Sequence, residues 1–332
     1  MGAGAGADRG PATGDRAVRR LVCVSVNPAI DKIAAVPRLV PGEIHRPEML
    51  SVVAGGKALN VARAARTCGL DVAVVAVLGG HAGDWMEEQL SARGIRTRAV
   101  RVPGETRTCL SVLDRESGGL TEFYEDAPAL PSEAWPALEL SLRAELTEGA
   151  GPALVAASGS LPQGAPPDGY GRLAAIATEM GARAIVDTGG LTLAAALPHG
   201  PWLVKVNLRE AAEACGLTLS GTDGALAAAH ELRDRGARAA LVTLGPVGAV
   251  LEDADGADWL IGPPPELGRF SVGSGDALLA GLAAGLAHGL SLPEAARSGA
   301  AAACASALRP GQGELDPSDM ERVLAAISLT RR

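Results

Sequence analysis

WLVKVNLREAAEACGLTLSGTDGALAAAHELRDRGARAALVTL, residues 202–244, decides the fold. WLVKVN (202–207) is apolar at four of its six positions and short enough for a strand. Helical spacing follows near 208–215 and again over 222–236, and AALVTL (239–244) is a second apolar strand. Apolar residues at successive strand positions mean burial on both faces, as in parallel sheets covered by helices. The same rhythm extends outward. LVCVSV (21–26), DVAVVAVLGG (71–80), ALVAAS (153–158) and RAIVDT (183–188) read as strands, and 55–69, about 83–93 and 166–180 as helices. The fold class expected is α/β, a three-layer sandwich around a mostly parallel central sheet.

Two stretches break the rhythm. Residues 32–53 and 97–124 carry short strand patterns with Pro and Gly-Gly turns, and are expected to build a small β-sheet lid. Residues 275–328 read as three helices. No repeat or linker divides the chain, so one domain is expected over 20–332 behind a disordered Gly/Ala-rich tail at 1–19.

Composition narrows the function. The 332 residues are 47% hydrophobic and only 2% aromatic, so aliphatic residues and alanine must fill the core and base-stacking platforms are not expected. A net charge of −8 repels nucleic-acid phosphates over most of the surface. Cys23, Cys68, Cys109, Cys215 and Cys304 are scattered without zinc or CxxC spacing, which suits reduced thiols in the cytoplasm. No stretch reads as a signal peptide or a membrane span. Lys32, Lys57 and Lys205 are the only lysines in an arginine-rich chain, a pointer to sites where a compact ammonium matters.

The candidate site residues cluster after strands. In SVGSGDALLAGLAAGL (271–286), Gly273, Ser274 and Gly275 precede a helix and Asp276 falls in its first turn. An acid that only complements the helix dipole needs no neighbouring glycines. An anion hole of backbone amides does, and a carboxylate beside it suits phosphoryl transfer, with Asp276 taking the proton of an attacking hydroxyl. VVAGGKALNVARA (52–64) sets Gly55, Gly56 and Lys57 at a helix start and Asn60 one turn on. It is no Walker A loop, and reads either as a plain strand–helix turn or as a corner for hydroxyls or phosphate. VSVNPAIDK (24–32), KVNLRE (205–210) and TLGPVGAV (243–250) offer Asp31, Lys205, Asn207, Glu210, Thr243, Gly245 and Gly248. Each is equally a turn, cap or hairpin when taken alone. VAVLGGHAG (75–83) is a rival dinucleotide site, but it lacks the full GxGxxG and an acid on the next strand. A non-catalytic sugar-binding protein would not need an acid beside an anion hole.

Taken in order, NPAID, AGGKALNVA, GETRT, SGSLP, KVNLRE, TLGPVGA and SVGSGDALLAGL resemble the PfkB, or ribokinase-like, carbohydrate kinases, in particular their phosphosugar branch. The resemblance spans about 21–328. It implies a ribokinase-like sandwich with a β-sheet lid that transfers the ATP γ-phosphate to a sugar hydroxyl. It implies Asp276 as base and Gly273, Ser274 and Gly275 as anion hole. Asn207 and Glu210 match the positions that organise Mg²⁺ through water, while Lys205, Thr243, Gly245 and Gly248 match nucleotide positions. Asp31, Gly55, Gly56 and Asn60 match positions that grip the sugar. Arg107 in GETRT matches the cation on the phosphate the substrate already carries, with Lys57 as a second charge there. Val206 replaces the usual proline of the nucleotide motif. The function expected is phosphorylation of fructose 1-phosphate to fructose 1,6-bisphosphate. Tagatose-6-phosphate kinase or 6-phosphofructokinase activity is the alternative, and a nicotinamide-dependent oxidoreductase a more distant one. A monovalent-cation requirement and a homodimer through the lid complete the expectation, with no nucleic-acid or membrane partner.

Overall fold

Alternate residues of the first strand face opposite ways: Leu21 and Cys23 pack into one buried apolar cluster, Val22 and Val24 into another. A strand buried on both faces needs a helical layer on each side, and that is the architecture of the computed structural model, which describes residues 18–309 and 311–332. The strands along the chain are β1 (Arg20–Ser25), β2 (Ala29–Val36), β3 (Glu48–Gly55), β4 (Asp71–Gly79), β5 (Arg96–Val102), β6 (Thr108–Asp114) and β7 (Leu120–Tyr124). They continue as β8 (Ala153–Ser158), β9 (Arg183–Asp187), β10 (Leu203–Asn207), β11 (Ala240–Thr243), β12 (Ala249–Glu252), β13 (Asp258–Ile261) and β14 (Leu329–Arg331). Ten of them form one sheet in the order β14-β13-β12-β11-β10-β9-β8-β1-β4-β5. It is parallel from β5 to β11, and antiparallel from there to β14.

The second sheet, β3-β2-β6-β7, is built from both stretches that break the rhythm. The boundary differs from the expected one. Arg96–Val102 pairs parallel with β4 and extends the main sheet, so the start of the 97–124 stretch is not part of the small sheet. Of the tail expected over 1–19, residues 1–17 lie outside the described residues. Val18 is buried and the Arg19 amide donates to the Pro152 carbonyl at 2.9 Å.

The three C-terminal helices are Ser274–Ala287, Leu292–Ala307 and Pro317–Leu324. The first is buried at every position from Asp276 to Leu286. Small residues allow this: a Cβ on Gly281 would lie 2.5 Å from the Ala302 Cβ, so the two helix backbones meet closely. The carboxyl end of a parallel strand is where such a sheet places its ligands, and this helix starts beside one: a Cβ on Gly275 would lie 2.8 Å from Lys205 Nζ of β10. No helix among the described residues is long and apolar enough to cross a membrane.

Candidate active site

β9, β10 and β11 run parallel and end on one edge of the sheet at Asp187, Asn207 and Thr243. A cleft of about 710 Å³ opens over this edge. Of the sixteen positions singled out in the sequence, only Gly55 does not line it.

Asp276 sits at the mouth of the Ser274–Ala287 helix, 5% exposed. Its Oδ2 accepts a hydrogen bond from Asn60 Nδ2 at 2.8 Å. Burial and the nearby Asp187 carboxylate push its carboxyl up to about 7, against the pull of Lys205, Asn60 and Lys57. A carboxyl poised there is suited to act as a base near neutral pH. Gly273 precedes it in the left-handed region at φ 84°. The Ser274 and Asp276 amides each close a local turn, to Ser271 and Gly273 carbonyls at 3.1 Å. Gly275 has a reason the sequence did not suggest: a Cβ there would lie 2.8 Å from Lys205 Nζ.

The acid that organises the floor was missed. Asp187 is fully buried and accepts from Lys205 Nζ at 2.9 Å and from Lys57 Nζ at 3.2 Å. Full burial opposes its charge, yet Lys205 and Lys57 hold its carboxyl below the ordinary range. An acid closing an apolar strand, as in RAIVDT, is the signal that marked it. Lys57 also reaches Glu210 Oε1 at 3.4 Å, and its pKa is raised chiefly by Asp187. In this conformation its ammonium is therefore held by Asp187 and Glu210 rather than standing beside Arg107. Asn207 and Glu210 form a capping box: Asn207 Oδ1 accepts from the Glu210 amide at 2.9 Å, and Glu210 Oε2 from the Asn207 amide at 3.0 Å. Glu210 is nevertheless turned to the cleft. Beyond it, Thr243 Oγ1 donates to the Val206 carbonyl, and Gly245–Val247 make the turn into the β11–β12 hairpin, ending at Gly248.

On the opposite wall, Asp31 Oδ2 accepts from the Gly56 amide at 3.0 Å. A Cβ on Gly55 would lie 2.0 Å from that same carboxylate oxygen, so Gly55 makes room for Asp31. Burial raises the Asp31 carboxyl, opposed by the Gly56 amide, Arg63 and Arg107. Arg107 donates only to the backbone carbonyls of Asn27 and Glu125, and no salt bridge engages it among the described residues. Its charge is free for a ligand.

The rival site at Gly79–Gly83 is closed. Glu105 accepts from the His81 and Ala82 amides at 3.1 and 2.9 Å, occupying the helix N-terminus a pyrophosphate would need. A Cβ on Gly80 would lie 2.1 Å from that carboxylate. Glu105, two residues before Arg107, was the second useful residue of GETRT.

The fold and the cleft define a kinase of sugar hydroxyls, and comparison with known proteins agrees. The model of the pfkB family of carbohydrate kinases matches residues 19–319. The chain is 37% identical to 1-phosphofructokinase of Xanthomonas campestris over 80% of this chain and 83% of that protein. It is 33% identical to ATP-dependent 6-phosphofructokinase isozyme 2 of Mycobacterium tuberculosis, over 94% and 91%. The tetrameric inhibited form of phosphofructokinase-2 from Escherichia coli superposes with a TM-score of 0.84 at 29% identity, covering 93% of this chain and 99% of that one. The same enzyme in complex with potassium gives 0.83 at 29% identity, with 93% and 99% covered. The chain belongs to the pfkB family of carbohydrate kinases. It is a phosphotransferase with an alcohol group as acceptor and ATP as donor.

Proposed function

We propose that this chain transfers the γ-phosphoryl group of ATP to a hydroxyl of fructose 1-phosphate, giving fructose 1,6-bisphosphate. The observation that carries this reading is the Arg107 guanidinium, which lines the cleft with Asp31 and Asn60 and is engaged by two backbone carbonyls but by no carboxylate among the described residues. A neutral sugar needs no cation, whereas a phosphate on a protein of net charge −8 does. Asp31 and Asn60 hold the sugar hydroxyls, and Asp276 takes the proton from the attacking one. The positive end of the Ser274–Ala287 helix faces the transferred group, with Gly273, Ser274 and Gly275 as its anion hole once the Ser274 amide leaves the Ser271 carbonyl. Lys205, Asn207, Thr243, Gly245 and Gly248 line the nucleotide side.

Glu210 and Asn207 are hard oxygen donors already half engaged by their capping box, which fits a hydrated Mg²⁺ held through water. Bound with ATP, Mg²⁺ neutralises phosphate charge. A monovalent cation belongs to the same reading. The second sheet is the lid that excludes water, and a homodimer forms through it. Exposed Met49, Val52, Leu120 and Phe123 on its edge strands support that pairing. Five unpaired cysteines fit a reducing, cytoplasmic setting.

Arg107→Ala tests the assignment. It is expected to raise KM for fructose 1-phosphate by roughly tenfold or more, the scale of a lost charged hydrogen bond, with KM for ATP nearly unchanged. Equal effects on both substrates overturn it.

A further inference from the structure

Asn60 can face Asp276 in two ways, and only one helps a base. With Nδ2 toward the carboxylate, the amide donates and favours the charged form. With Oδ1 there, it could be met only by a protonated acid. The structure shows what decides between them. Asn60 Oδ1 accepts from Arg63 Nη2 at 3.0 Å. A guanidinium has no acceptor, so it can be met only by the amide oxygen, and Nδ2 is left pointing at Asp276 Oδ2 at 2.8 Å and at Gln312 Oε1 at 3.3 Å.

Arg63 is itself held on several sides. It is 2% exposed, and its guanidinium also donates to the Ala54 carbonyl, just before Gly55, and to the Gln312 carbonyl at 2.5 Å. Its Nε lies 3.6 Å from Glu314 Oε1, which Arg93 also approaches at 3.1 Å. A buried cation with its donors spread over strand β3, Asn60 and the 312–314 segment is costly to retain for packing alone, since an apolar side chain of similar volume often serves as well. We propose that Arg63, which touches no substrate in the kinase reading on which this rests, is a positioning residue: it locks the Asn60 amide so that Nδ2 holds the Asp276 carboxylate ready to accept a proton.

The charged groups facing this chain of contacts are Asp187, Lys205 and Lys57 around Asp276, and Glu314, Arg93 and Asp31 around Arg63. All of them remain when Arg63 is replaced, but its own charge, which also acts on Asp276, does not, so the lock is read from the difference between two uncharged variants. Without the lock the amide is free to turn. The donor to the carboxylate is then lost part of the time and the base becomes harder to ionise.

The test is the pH dependence of kcat for the unmodified protein, Arg63→Met and Arg63→Gln, with Mg·ATP and fructose 1-phosphate. For Arg63→Met the acid limb is expected to move up by about one pH unit, the scale of one hydrogen bond to a charged group. Turnover near neutral pH then falls about fivefold, with KM for ATP nearly unchanged. Arg63→Gln carries no charge but keeps an amide donor for Asn60 Oδ1, and should bring the limb back toward wild type. An unmoved limb in Arg63→Met, or equal displacement in both variants, overturns the proposal and leaves Arg63 a packing residue. Should Arg63→Met not fold, the unmodified protein still decides the matter by nitrogen NMR. The Asn60 side-chain signal, assigned by its loss in Asn60→Ser, should be a single set that titrates together with Asp276. Two sets, or a signal indifferent to pH, refute the lock. Absence of turnover in the unmodified protein on every phosphosugar would count against the kinase reading alone, because the NMR result does not depend on it.

Discussion

Replacing Asp276 by asparagine is expected to stabilise the protein while removing its activity. The folded carboxyl is pushed from the ordinary 3.8 up to about 7 by burial and by Asp187. It therefore holds its proton more tightly when folded than when unfolded, and stability is lost as pH rises from about 4 to about 7, with no further loss above. One unit of pKa is about 1.4 kcal/mol, so the gap costs about 2 kcal/mol at pH 5 and up to about 4 kcal/mol at pH 8. Asparagine cannot ionise, and its carbonyl oxygen still accepts from Asn60 Nδ2. Urea unfolding at the two pH values measures the effect: the variant should be the more stable protein at both, by a margin that grows with pH. The same substitution should lower kcat by roughly 10²–10⁴, the range for a lost general base. A variant less stable than wild type at pH 8, or a margin indifferent to pH, would refute the assignment of a strained, buried base.

Other consequences follow from the same geometry. The logarithm of kcat/KM for the sugar phosphate should fall with unit slope below about pH 7, where Asp276 takes up its proton. A limb near the phosphate's own ionisation, about 6, would place control elsewhere. In Gly275→Ala the new methyl must displace Lys205 Nζ from 2.8 Å, disturbing its pair with Asp187. A loss of roughly tenfold in kcat is expected, about 1.4 kcal/mol, with the fold intact by circular dichroism. Light scattering should report a dimer that dissociates in Phe123→Lys, since this side chain is 55% exposed on an edge strand of the lid. Unchanged mass would remove the lid as the interface.

Asp276 stood out because a carboxylate at a helix mouth after Gly-x-Gly suits a chemical need. The packing reasons for its glycines were hidden: a Cβ on Gly273 would lie 2.6 Å from the Gly313 amide nitrogen, and one on Gly275 2.8 Å from Lys205 Nζ. The parallel strands were legible from unbroken apolar runs. Other features were hidden for physical reasons. β12, β13 and β14 are four, four and three residues long, too short to show a period, so the antiparallel edge of the sheet went unread. Arg96–Val102 looks like a half-exposed lid strand because its burial pattern is mixed, although it joins the main sheet. Asp187 carries no local signal beyond its place at the end of RAIVDT, and its importance comes from two lysines 18 and 130 residues away. Arg63 reads as an ordinary polar position of a helix, since the contact that helps fix its guanidinium for Asn60, with the Gln312 carbonyl, spans 249 residues. Lys57 was matched to a ligand, whereas the folded chain first gives it two carboxylates.

The central claim is that Arg107 selects a phosphorylated sugar for the Asp276 base. ADP release from Mg·ATP, measured in parallel with fructose 1-phosphate, tagatose 6-phosphate, fructose 6-phosphate and free fructose, tests it most directly. The geometry predicts turnover of the phosphosugars with free fructose giving little or none, and the proposed function predicts the highest kcat/KM for fructose 1-phosphate. Preference for free fructose, or nucleotide binding with no turnover on any of the four, would contradict it.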